Sequence, residues 1–538
     1  MNHGADNSSP SRPTTAFTWK PRVVLLAALA SVLLFGWFVA GFYDRNTGLT
    51  SMLSIGDRTE AVAISKLHEV PHHTYRHSYG YDGSYYVQIA LSPLLDDPEL
   101  PTAIDNLPYR ARRILLSWTA WTLGAGQPEW VVHVFPFLNV AAWLALAWLL
   151  RRWFPLTSWD SFFRWAMFMF SHGMCMSVRH SLVDVPSLLL IVVAVLALER
   201  RRHLGAAVVL ALATLTRETS VLATVAFSGG DPRSPRTWLK RAALLVVVAA
   251  PLAAWLFYLR AKFGTSAGAG FNNFAPPFVG LAEKWVESIL ALFQEVVWPL
   301  DWATAACVLS LTVQCVFLLA RWRPSEAWWR IGAVFALMAV FLSRPVWEGS
   351  PGAATRVLLP MSLAFNILVP RGRRWLPLLV AGNLTVFASL SEFDPPPRFF
   401  HLSAPAAVAD SVTISDIGHW YQVESRGSNT WRWASGDAGL RFENASGQPL
   451  AVTLRGTVSV LDRNRDVAVH LGDQRFWSAT LSSDRADFSV TFDLPPGSSE
   501  LRFITPQPPP PEDRDGRALA FSVSNLKLTL RPPPSSAP

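Results

Sequence analysis

The stretch RVVLLAALASVLLFGWFVAGFY, residues 22–43, decides the fold class, because it is a nearly continuous apolar run. About 20 largely apolar residues are enough for a helix to cross a bilayer. The run is too long for a signal peptide, and no small-residue cleavage site follows it. We therefore expect an uncleaved membrane anchor, preceded by a disordered cytoplasmic N-terminus at residues 1–21 that carries the basic Lys20.

Further apolar runs follow, and clusters of Lys and Arg mark the ends that we expect to lie inside the cell. The predicted spans are residues 22–43, 130–150, 159–178, 183–198, 242–262, 302–321, 328–342, 357–370 and 375–390. Residues 204–228 are expected to form a re-entrant hairpin, because both flanks are basic and Arg217-Glu218 interrupts the middle. The predicted membrane domain, residues 22–392, thus has about nine spans, with a large external loop at residues 44–113.

The composition fits a membrane part joined to a water-soluble part. Lys and Arg number 47 and Asp and Glu 39, a net charge of +8, and 16% of residues are charged, against about 25% in an average soluble protein. Cytoplasmic loops of membrane proteins collect basic residues, so this charge does not imply nucleic acid. The cysteines Cys175, Cys307 and Cys315 lie in apolar stretches and predict neither a disulfide framework nor a metal site.

Beyond a Pro-rich linker at residues 393–409, the pattern changes from helical to alternating. The alternating runs are residues 450–455, 467–471, 488–492 and 519–523. They predict an all-β sandwich at residues 410–531, with a disordered tail at 532–538. By the predicted topology this domain lies on the non-cytoplasmic side. Trp431 and Trp433 are candidates for stacking on sugar rings there, and core packing is the alternative.

The most informative part of the external loop is SYGYDGSYYVQIA, residues 78–90. Glycines on both sides of the Tyr81-Asp82 pair allow a tight backbone, and the run that follows has helical character. We expect the Asp82 carboxylate to lie near a helix start at the membrane surface. Capping of that helix, worth about 1 kcal/mol, is the alternative role.

The same stretch resembles the first-loop signature of the GT-C integral-membrane glycosyltransferases, in the bacterial branch that carries Gly-Tyr-Asp-Gly-x-Tyr-Tyr. The resemblance extends to YRARRIL at residues 109–115 and LTRET at residues 215–219, and covers most of residues 22–392. It implies that Asp82 is the catalytic base and that the donor is a polyprenyl-phosphate sugar. The C-terminal region resembles carbohydrate-binding modules that are appended to some GT-C enzymes.

On this resemblance, basic and aromatic side chains are candidates for binding the lipid phosphate or the substrate, since guanidinium groups hold phosphate bidentately. They are Arg110, Arg112, Arg113, Arg179, Arg217, Arg356, Tyr81 and Tyr85. A local ion pair with Asp184 is the alternative for Arg179. Many family members pair two acids in the loop, whereas Gly83 follows Asp82 here. Either Asp82 acts alone, or Asp57 supplies the second carboxylate; an ordinary solvated loop acid is the simpler interpretation of Asp57.

No metal ligands are predicted and the sequence identifies no cofactor; the use of a divalent ion stays open. His72, His73 and His77 could approach one ion, but no nearby Cys or carboxylate completes the set. The leading hypothesis is an inverting glycosyltransferase at the outer face of a bacterial cytoplasmic membrane, with a glycan, lipid or protein acceptor.

Two other functions stay open. A polytopic transporter is disfavoured, because the spans lack paired broken helices in two matched halves. A non-catalytic glycan-binding membrane scaffold is the other alternative.

Overall fold

The computed structural model describes residues 21–75, 78–228, 234–264, 271–405, 408–409, 411–426, 429–461, 464–513 and 516–532. The chain divides into two compact units. The first, which is helical, is built from Met1–Tyr43, Ala63–Val70 and Asp82–Asp394. The second is built from Asp44–Val62, Pro71–Tyr81 and Pro395–Pro538 and contains the strands. The predicted external loop, residues 44–113, therefore contributes to both units.

The first unit consists of helices of very different lengths. Its α-helices are Pro21–Gly41, Ser65–His68, Asp82–Leu91, Leu100–Ala103, Leu107–Arg110, Ile114–Leu123, Pro128–Leu149, Trp159–Met169, His172–Arg179, Asp184–Glu199, His203–Thr216, Pro235–Phe263, Val279–Ala291, Pro299–Ala320, Ala327–Phe341, Arg344–Trp347, Ala354–Val357, Leu359–Leu368, Leu376–Ala381 and Val386–Ser389. Short 3₁₀ helices are Leu150–Arg152, Glu218–Phe227, Phe271–Asn273, Arg373–Trp375 and Leu390–Phe393. Proline opens four of the long helices, where its fixed φ and missing N–H suit the first turn.

Several of these helices could span a membrane, which indicates a membrane protein. Among the described residues, four are long and apolar enough to cross a bilayer: Pro21–Gly41, Pro128–Arg152, Pro235–Phe263 and Pro299–Ala320. Two bent helix pairs bring the number of candidate spans to six: His172–Arg179 with Asp184–Glu199, bent by 120°, and Arg373–Ala381 with Val386–Phe393, bent by 46°. The other predicted spans fall on shorter helices, so the total of nine stays a prediction.

The region predicted as spans 159–178 and 183–198 is divided differently from the expectation. Trp159–Met169 ends before Ser171, and a separate helix, His172–Arg179, follows. That helix then turns sharply into Asp184–Glu199. The turn includes Ser181, whose φ of +50° lies in the left-handed region. This turn lies between the two predicted spans, whereas the break before Ser171 divides the first of them.

In the second unit, two short segments of the predicted external loop run side by side. Ile55–Gly56 pairs in parallel with Thr74–Tyr75, and the N–H of Tyr81 donates to the carbonyl of Ser54 over 2.9 Å. Gly80 has a φ of +70°, and a Cβ there would clash with that same carbonyl oxygen. Glycine is required at this position, which explains the tight backbone expected before Asp82.

The rest of the second unit is a β-rich domain that is mostly antiparallel. Its strands are Phe400–Ser403, Val412–Arg426, Asn429–Asn444, Leu450–Ser459, Arg465–Leu471, Gln474–Leu481, Arg485–Leu494, Gly497–Ile504 and Phe521–Arg531. Asn429–Asn444 organises them: Val412–Arg426 pairs along one edge, while Phe521–Arg531 and Gly497–Ile504 share the other. The sheet therefore branches at this long strand. Rings from the two branches, including Phe488 and Phe503 at 5.6 Å, meet in one core.

The structure confirms a β-rich C-terminal domain and alters its start. Part of the predicted linker, residues 393–409, belongs to the sheet, because Phe400–Ser403 pairs in parallel with Phe521–Arg531. Phe399 is buried, and the centre of its ring lies 4.9 Å from that of the Trp420 ring. Apolar burial therefore draws this segment into the domain despite its proline-rich beginning.

Candidate functional site

Asp82 is the first residue of the helix Asp82–Leu91, so the expected helix start is confirmed. Its carboxylate is bound by two guanidinium groups. Nη1 of Arg110 lies 2.8 Å from Oδ1, and Nη2 of Arg356 lies 3.1 Å from Oδ2. The side chain is mostly buried, with 16% of its surface exposed. Asp82 is therefore an ionised group held by arginines from two separate parts of the chain.

Arg356 also binds a second carboxylate, that of Asp184. Its Nη1 atom donates to Oδ2 of Asp184 over 3.0 Å, and Nη1 of Arg217 donates to Oδ1 of the same side chain. The Asp184 side chain is 1% exposed. Arg179, the local partner considered for Asp184, lies with its guanidinium 4.6 Å from the centre of the Phe42 ring. Asp184 thus ties together two arginines that are far away in the sequence.

A further ion pair lies beside these and involves the buried Arg113. Its Nε and Nη2 atoms lie 3.0 and 2.9 Å from the two carboxylate oxygens of Glu218. It also donates to the phenol oxygens of Tyr86, over 2.7 Å, and Tyr109, over 3.1 Å. A bidentate pair with two further acceptors fixes the plane of this guanidinium. Nδ2 of Asn273 donates to the same Tyr109 oxygen over 3.2 Å.

The backbone break at Arg217 explains how the LTRET stretch reaches the site. Arg217 is extended, with φ −152° and ψ 122°, between the helix His203–Thr216 and the 3₁₀ helix Glu218–Phe227. Because helical geometry stops there, the neighbouring Arg217 and Glu218 pair with Asp184 and Arg113 respectively. The two charges that interrupt an apolar run are therefore neutralised by partners elsewhere in the site.

Close backbone packing holds the segment that carries Arg356. A Cβ on Gly173 would clash with the carbonyl oxygen of Thr355, so His172–Arg179 packs directly against Ala354–Val357. Nδ1 of His172 also lies 2.8 Å from Oγ1 of Thr355, and its Nε2 lies 3.0 Å from Glu392. These contacts hold the backbone next to Arg356 in place.

These groups surround a cavity of about 330 Å³, which we call the arginine cavity. Its charged and polar lining side chains are Asp82, Tyr109, Arg110, Arg112, Arg113, Arg217, Glu218, Thr219, Asn273 and Arg356. Its apolar lining residues are Phe274, Met338, Leu342, Pro345, Val346, Ala353 and Val357. Five guanidinium groups face two carboxylates among these lining residues. The cavity therefore offers a cationic wall and an apolar wall.

The electrostatics of the cavity keep Asp82 ionised. Burial alone would raise the pKa of its carboxyl group, but the positive charges of Arg356, Arg110 and Arg113 outweigh that effect. The pKa of Asp82 consequently lies below its ordinary value of 3.8. At neutral pH the group can accept a proton, but its arginine partners make it a weak base.

The structure brings together most of the candidate residues of the membrane part. Those that line the arginine cavity are Asp82, Arg110, Arg112, Arg113, Arg217 and Arg356. Tyr85 lies next to it, its ring centre 5.0 Å from the Arg110 guanidinium. Tyr81 and Asp57 belong to the second unit, where Asp57 opens the helix Asp57–Glu60 and accepts from the N–H of Ser78 over 3.1 Å.

Sequence reasoning did not select four groups of this site: Asp184, Glu218, Tyr109 and Asn273. Glu218 and Tyr109 lie within the LTRET and YRARRIL stretches, so those motifs carried the signal. For Asp184 the signal is an acid at the start of an apolar run. Asn273 donates to Tyr109 through space and has no local signal.

The loop histidines that were considered as metal ligands make other contacts. Nε2 of His72 is 3.1 Å from a Glu60 carboxylate oxygen, and the backbone of His73 donates to Thr50. His77 lies outside the described residues. Within the ranges that the structure describes, three or more His, Cys, Asp or Glu side chains nowhere form a set that could hold a metal ion.

The candidate aromatic residues of the β-rich domain are half-buried. Nε1 of Trp431 donates to Glu424 over 3.1 Å, and Trp433 lies opposite Ser522 on the neighbouring strand. Trp420, by contrast, is buried and donates to the carbonyl of Gly439 over 2.9 Å. Partial exposure leaves Trp431 and Trp433 available for contact with a ligand.

Comparison with protein-family models finds no match for this sequence, and a search of curated proteins finds none either.

Proposed function

We propose that this chain is a membrane glycosyltransferase that transfers a sugar, with inversion, from a polyprenyl-phosphate donor to an acceptor hydroxyl. The observation that carries the proposal is the ionised carboxylate of Asp82 on the wall of the arginine cavity. A base, a cationic wall and an apolar wall stand side by side there. Each matches one part of the reactants: the base matches the acceptor hydroxyl, the cationic wall the donor phosphate, and the apolar wall the donor lipid.

The size and the lining of the cavity support a substrate of this class. Ligand cavities typically measure about 300–1,000 Å³, so a volume of about 330 Å³ suits one sugar ring with its phosphate. Guanidinium groups of Arg112, Arg217 and their neighbours can hold the phosphate oxygens. The prenyl chain can follow the apolar wall formed by Met338 and Leu342 towards the bilayer.

The reaction would proceed as a single displacement. The acceptor oxygen bonds to the anomeric carbon while Asp82 accepts the hydroxyl proton, and the bond from that carbon to the phosphate oxygen breaks. The lipid phosphate leaves with the electron pair. General-base assistance contributes about 10²- to 10⁴-fold, and pre-placed guanidinium groups stabilise the charge that develops on the leaving phosphate.

The proposal extends to the placement of the chain. We infer nine spans with a re-entrant hairpin at residues 204–228, a cytoplasmic N-terminus, and reaction at the outer face of a bacterial cytoplasmic membrane. The C-terminal domain would be an external β-sandwich that binds glycans through Trp431 and Trp433. Labelling of single introduced cysteines with a membrane-impermeant reagent in intact cells tests on which side of the membrane each loop lies.

A divalent ion in this reaction would have to be held chiefly by the donor phosphate, because the described residues form no set of three or more His, Cys, Asp or Glu side chains that could bind one. Transfer by the purified chain with EDTA, and again after Mg²⁺ or Mn²⁺ is restored, decides whether the reaction uses one. The arginines would supply the positive charge that faces the phosphate in either case.

The decisive experiment compares Asp82→Asn with the wild type in reconstituted vesicles. Both proteins receive a panel of synthetic polyprenyl-phosphate hexoses and pentoses, with surface glycans as acceptors. We expect turnover to fall at least 100-fold while abundance stays unchanged. Asp96→Asn is the matched control, because that carboxylate is 67% exposed, binds Lys262 and does not line the cavity.

Two outcomes would contradict the assignment. Full turnover by Asp82→Asn would show that Asp82 is not the catalytic base. Accumulation of labelled sugar in sealed vesicles, without any new glycosidic bond, would make the chain a transporter.

A further inference from the structure

Each arginine that binds Asp82 also holds another carboxylate. Arg356 uses Nη2 for Asp82 and Nη1 for Asp184. Arg110 uses Nη1 for Asp82, while its Nε and Nη2 atoms lie 3.1 and 2.9 Å from Asp105. Either guanidinium can therefore release Asp82 and stay paired through its other edge.

The two anchoring carboxylates differ from Asp82 in their position. Asp184 is almost completely buried, and Asp105 and Asp184 are not among the residues that line the arginine cavity. Asp82, Arg110 and Arg356 do line it. A ligand in the cavity can consequently contact the N–H groups that bind Asp82. The carboxylates of Asp105 and Asp184 bind the other N–H groups of the same arginines outside the cavity lining.

An anion in this cavity competes with Asp82 for the same donors. The unbridged oxygens of a phosphate accept hydrogen bonds from guanidinium groups as a carboxylate does, often two at a time. When a phosphate takes the N–H groups of Arg110 and Arg356, Asp82 loses two positive partners while its burial remains. Loss of these positive charges at unchanged burial makes the carboxylate a stronger base.

We propose that Arg110 and Arg356 act as an anion-operated switch, in which the phosphate of the donor displaces Asp82 and thereby turns it into a competent base. The inference rests on the proposed function for the identity of the donor, but the displacement itself needs only a phosphate anion. Asp105 and Asp184 are positioning residues in this switch, since they keep the arginines in place when Asp82 is released.

Protons and electrons balance in the reaction of the switched state. The released Asp82 takes the proton of the acceptor hydroxyl as the new carbon–oxygen bond forms, and Arg110 and Arg356 already hold the phosphate that departs. After the product phosphate dissociates, Asp82 returns its proton to water and binds the arginines again. Without a donor in place the base stays weak, which suppresses unproductive activation of water.

The test measures binding of a sugar-free phosphodiester, methyl geranylgeranyl phosphate, to the purified full chain. This probe has no proton to exchange near neutral pH, so any proton uptake comes from the protein. Titration calorimetry in two buffers of different ionisation enthalpy gives the number of protons taken up, at about pH 5. We expect wild type to take up a fraction of a proton as the probe binds.

Two variants make the test specific. Asp82→Asn should bind the probe at least tenfold more tightly than wild type, because the competing carboxylate is gone, and should take up no proton. Asp96→Asn is the control, since it removes one exposed negative charge that does not line the cavity and leaves Asp82 and its arginines in place. It should keep the proton uptake of wild type.

Three results would overturn the switch: binding by Asp82→Asn that is no tighter than that of wild type, wild-type binding without proton uptake, or no binding by either protein. The wild-type measurement needs no variant, so a folding defect in Asp82→Asn cannot hide the answer. Sugar transfer is measured separately. If the switch operates but no transfer is found, the proposed function fails alone; if transfer is found without proton uptake, the switch fails alone.

Discussion

Asp82 and Arg356 are 274 positions apart in the chain, yet Oδ2 of Asp82 lies 3.1 Å from Nη2 of Arg356. The contact joins the start of the helix Asp82–Leu91 to the short helix Ala354–Val357. It also brings the buried carboxylate of Asp184 into the same cluster. The arginine cavity therefore depends on the tertiary arrangement of the whole helical unit.

Replacing Arg356 with Gln should destabilise the chain strongly, because two largely buried carboxylates lose a shared cation. Breaking a buried ion pair from one side costs about 3–5 kcal/mol, which thermal unfolding in detergent would show as a large fall in melting temperature. Arg323→Gln breaks the exposed pair with Glu326 instead, and such pairs are worth about 0–1 kcal/mol. Equal effects of the two changes would contradict the shared role of Arg356.

Arg113→Lys should also lower stability, although it preserves the charge. One ammonium cannot reproduce the bidentate pair with Glu218 together with the bonds to Tyr86 and Tyr109. Hydrogen bonds that involve charged groups contribute about 1.5–3 kcal/mol each, so we expect a loss of about 3 kcal/mol. The exposed Arg152→Lys is the comparison, and chemical denaturation measures both.

The pH dependence of turnover should differ between the free and the donor-bound states. In the free protein the pKa of Asp82 lies below 3.8, since the charges of Arg356, Arg110 and Arg113 outweigh burial. The base form persists as pH falls, so kcat/KM should show no acid limb from Asp82 above about pH 4. In the switched, donor-bound state the pKa rises, and the acid limb of kcat should lie at higher pH.

The ionisation of Asp82 also makes the stability of the fold depend on pH. A carboxyl whose folded pKa is depressed stabilises the fold above its unfolded pKa, and that contribution is lost as pH falls through the folded value. Asp82→Asn should therefore flatten the dependence of melting temperature on pH below about pH 4. Identical profiles for the variant and wild type would mean that Asp82 contributes no such linkage.

Gly173→Ala should impair the site without changing any functional group. The added Cβ would clash with the carbonyl of Thr355 and push away the helix that carries Arg356. We expect at least a tenfold loss of turnover, or of probe binding. Gly205→Ala is the control: its Cβ would meet only the Arg202 side chain at 4.0 Å, and replacing a helical glycine gains about 0.5–1 kcal/mol.

In the β-rich domain, Trp420 and Trp431 should respond differently to truncation. Trp420 packs against Phe399, Phe503 and Phe521, so Trp420→Ala should cost about 3–5 kcal/mol and expose the domain to limited proteolysis. Trp431→Ala should leave proteolysis unchanged and reduce retention on immobilised glycans. Unchanged retention would remove Trp431 from the proposed glycan site.

Local patterns were enough to predict the elements that follow one regular period. The anchor at residues 22–43 and the runs at 130–150 and 302–321 coincide with the helices Pro21–Gly41, Pro128–Leu149 and Pro299–Ala320. The helix start at Asp82 was predicted for the same reason. In each case the signal is contained in neighbouring residues.

The partners of Asp184 could not be predicted, because its arginines lie 33 and 172 positions away. The 120° bend between His172–Arg179 and Asp184–Glu199 decides which surfaces meet, and apolar periodicity does not encode that angle. Arg179 is a plausible partner by spacing, so sequence favoured the nearer cation.

The long strand Val412–Arg426 was missed for a different physical reason. Its register against Asn429–Asn444 shifts between Gly418 and Trp420, and again between Trp420 and Val423. Between Trp420 and Val423 the strand has one residue more than its partner, so the inward-facing positions change parity there and the alternation that marks a strand is interrupted. The run at residues 450–455 was recognised; it belongs to Leu450–Ser459, whose pairing with Arg485–Leu494 is regular throughout.

Arg356 is synthesised after all the other residues of its charge cluster. As the chain emerges, Asp82 can meet Arg110, Asp184 can meet Arg217, and Arg113 can meet Glu218, all before residue 356 has been made. Arg356 comes last and links the pairs of Asp82 and Asp184. A nascent chain stalled before this residue holds separate neutralised pairs, and one completed beyond it can close the cluster. The cluster that joins Asp82 to Asp184 can therefore close only after residue 356 has been synthesised.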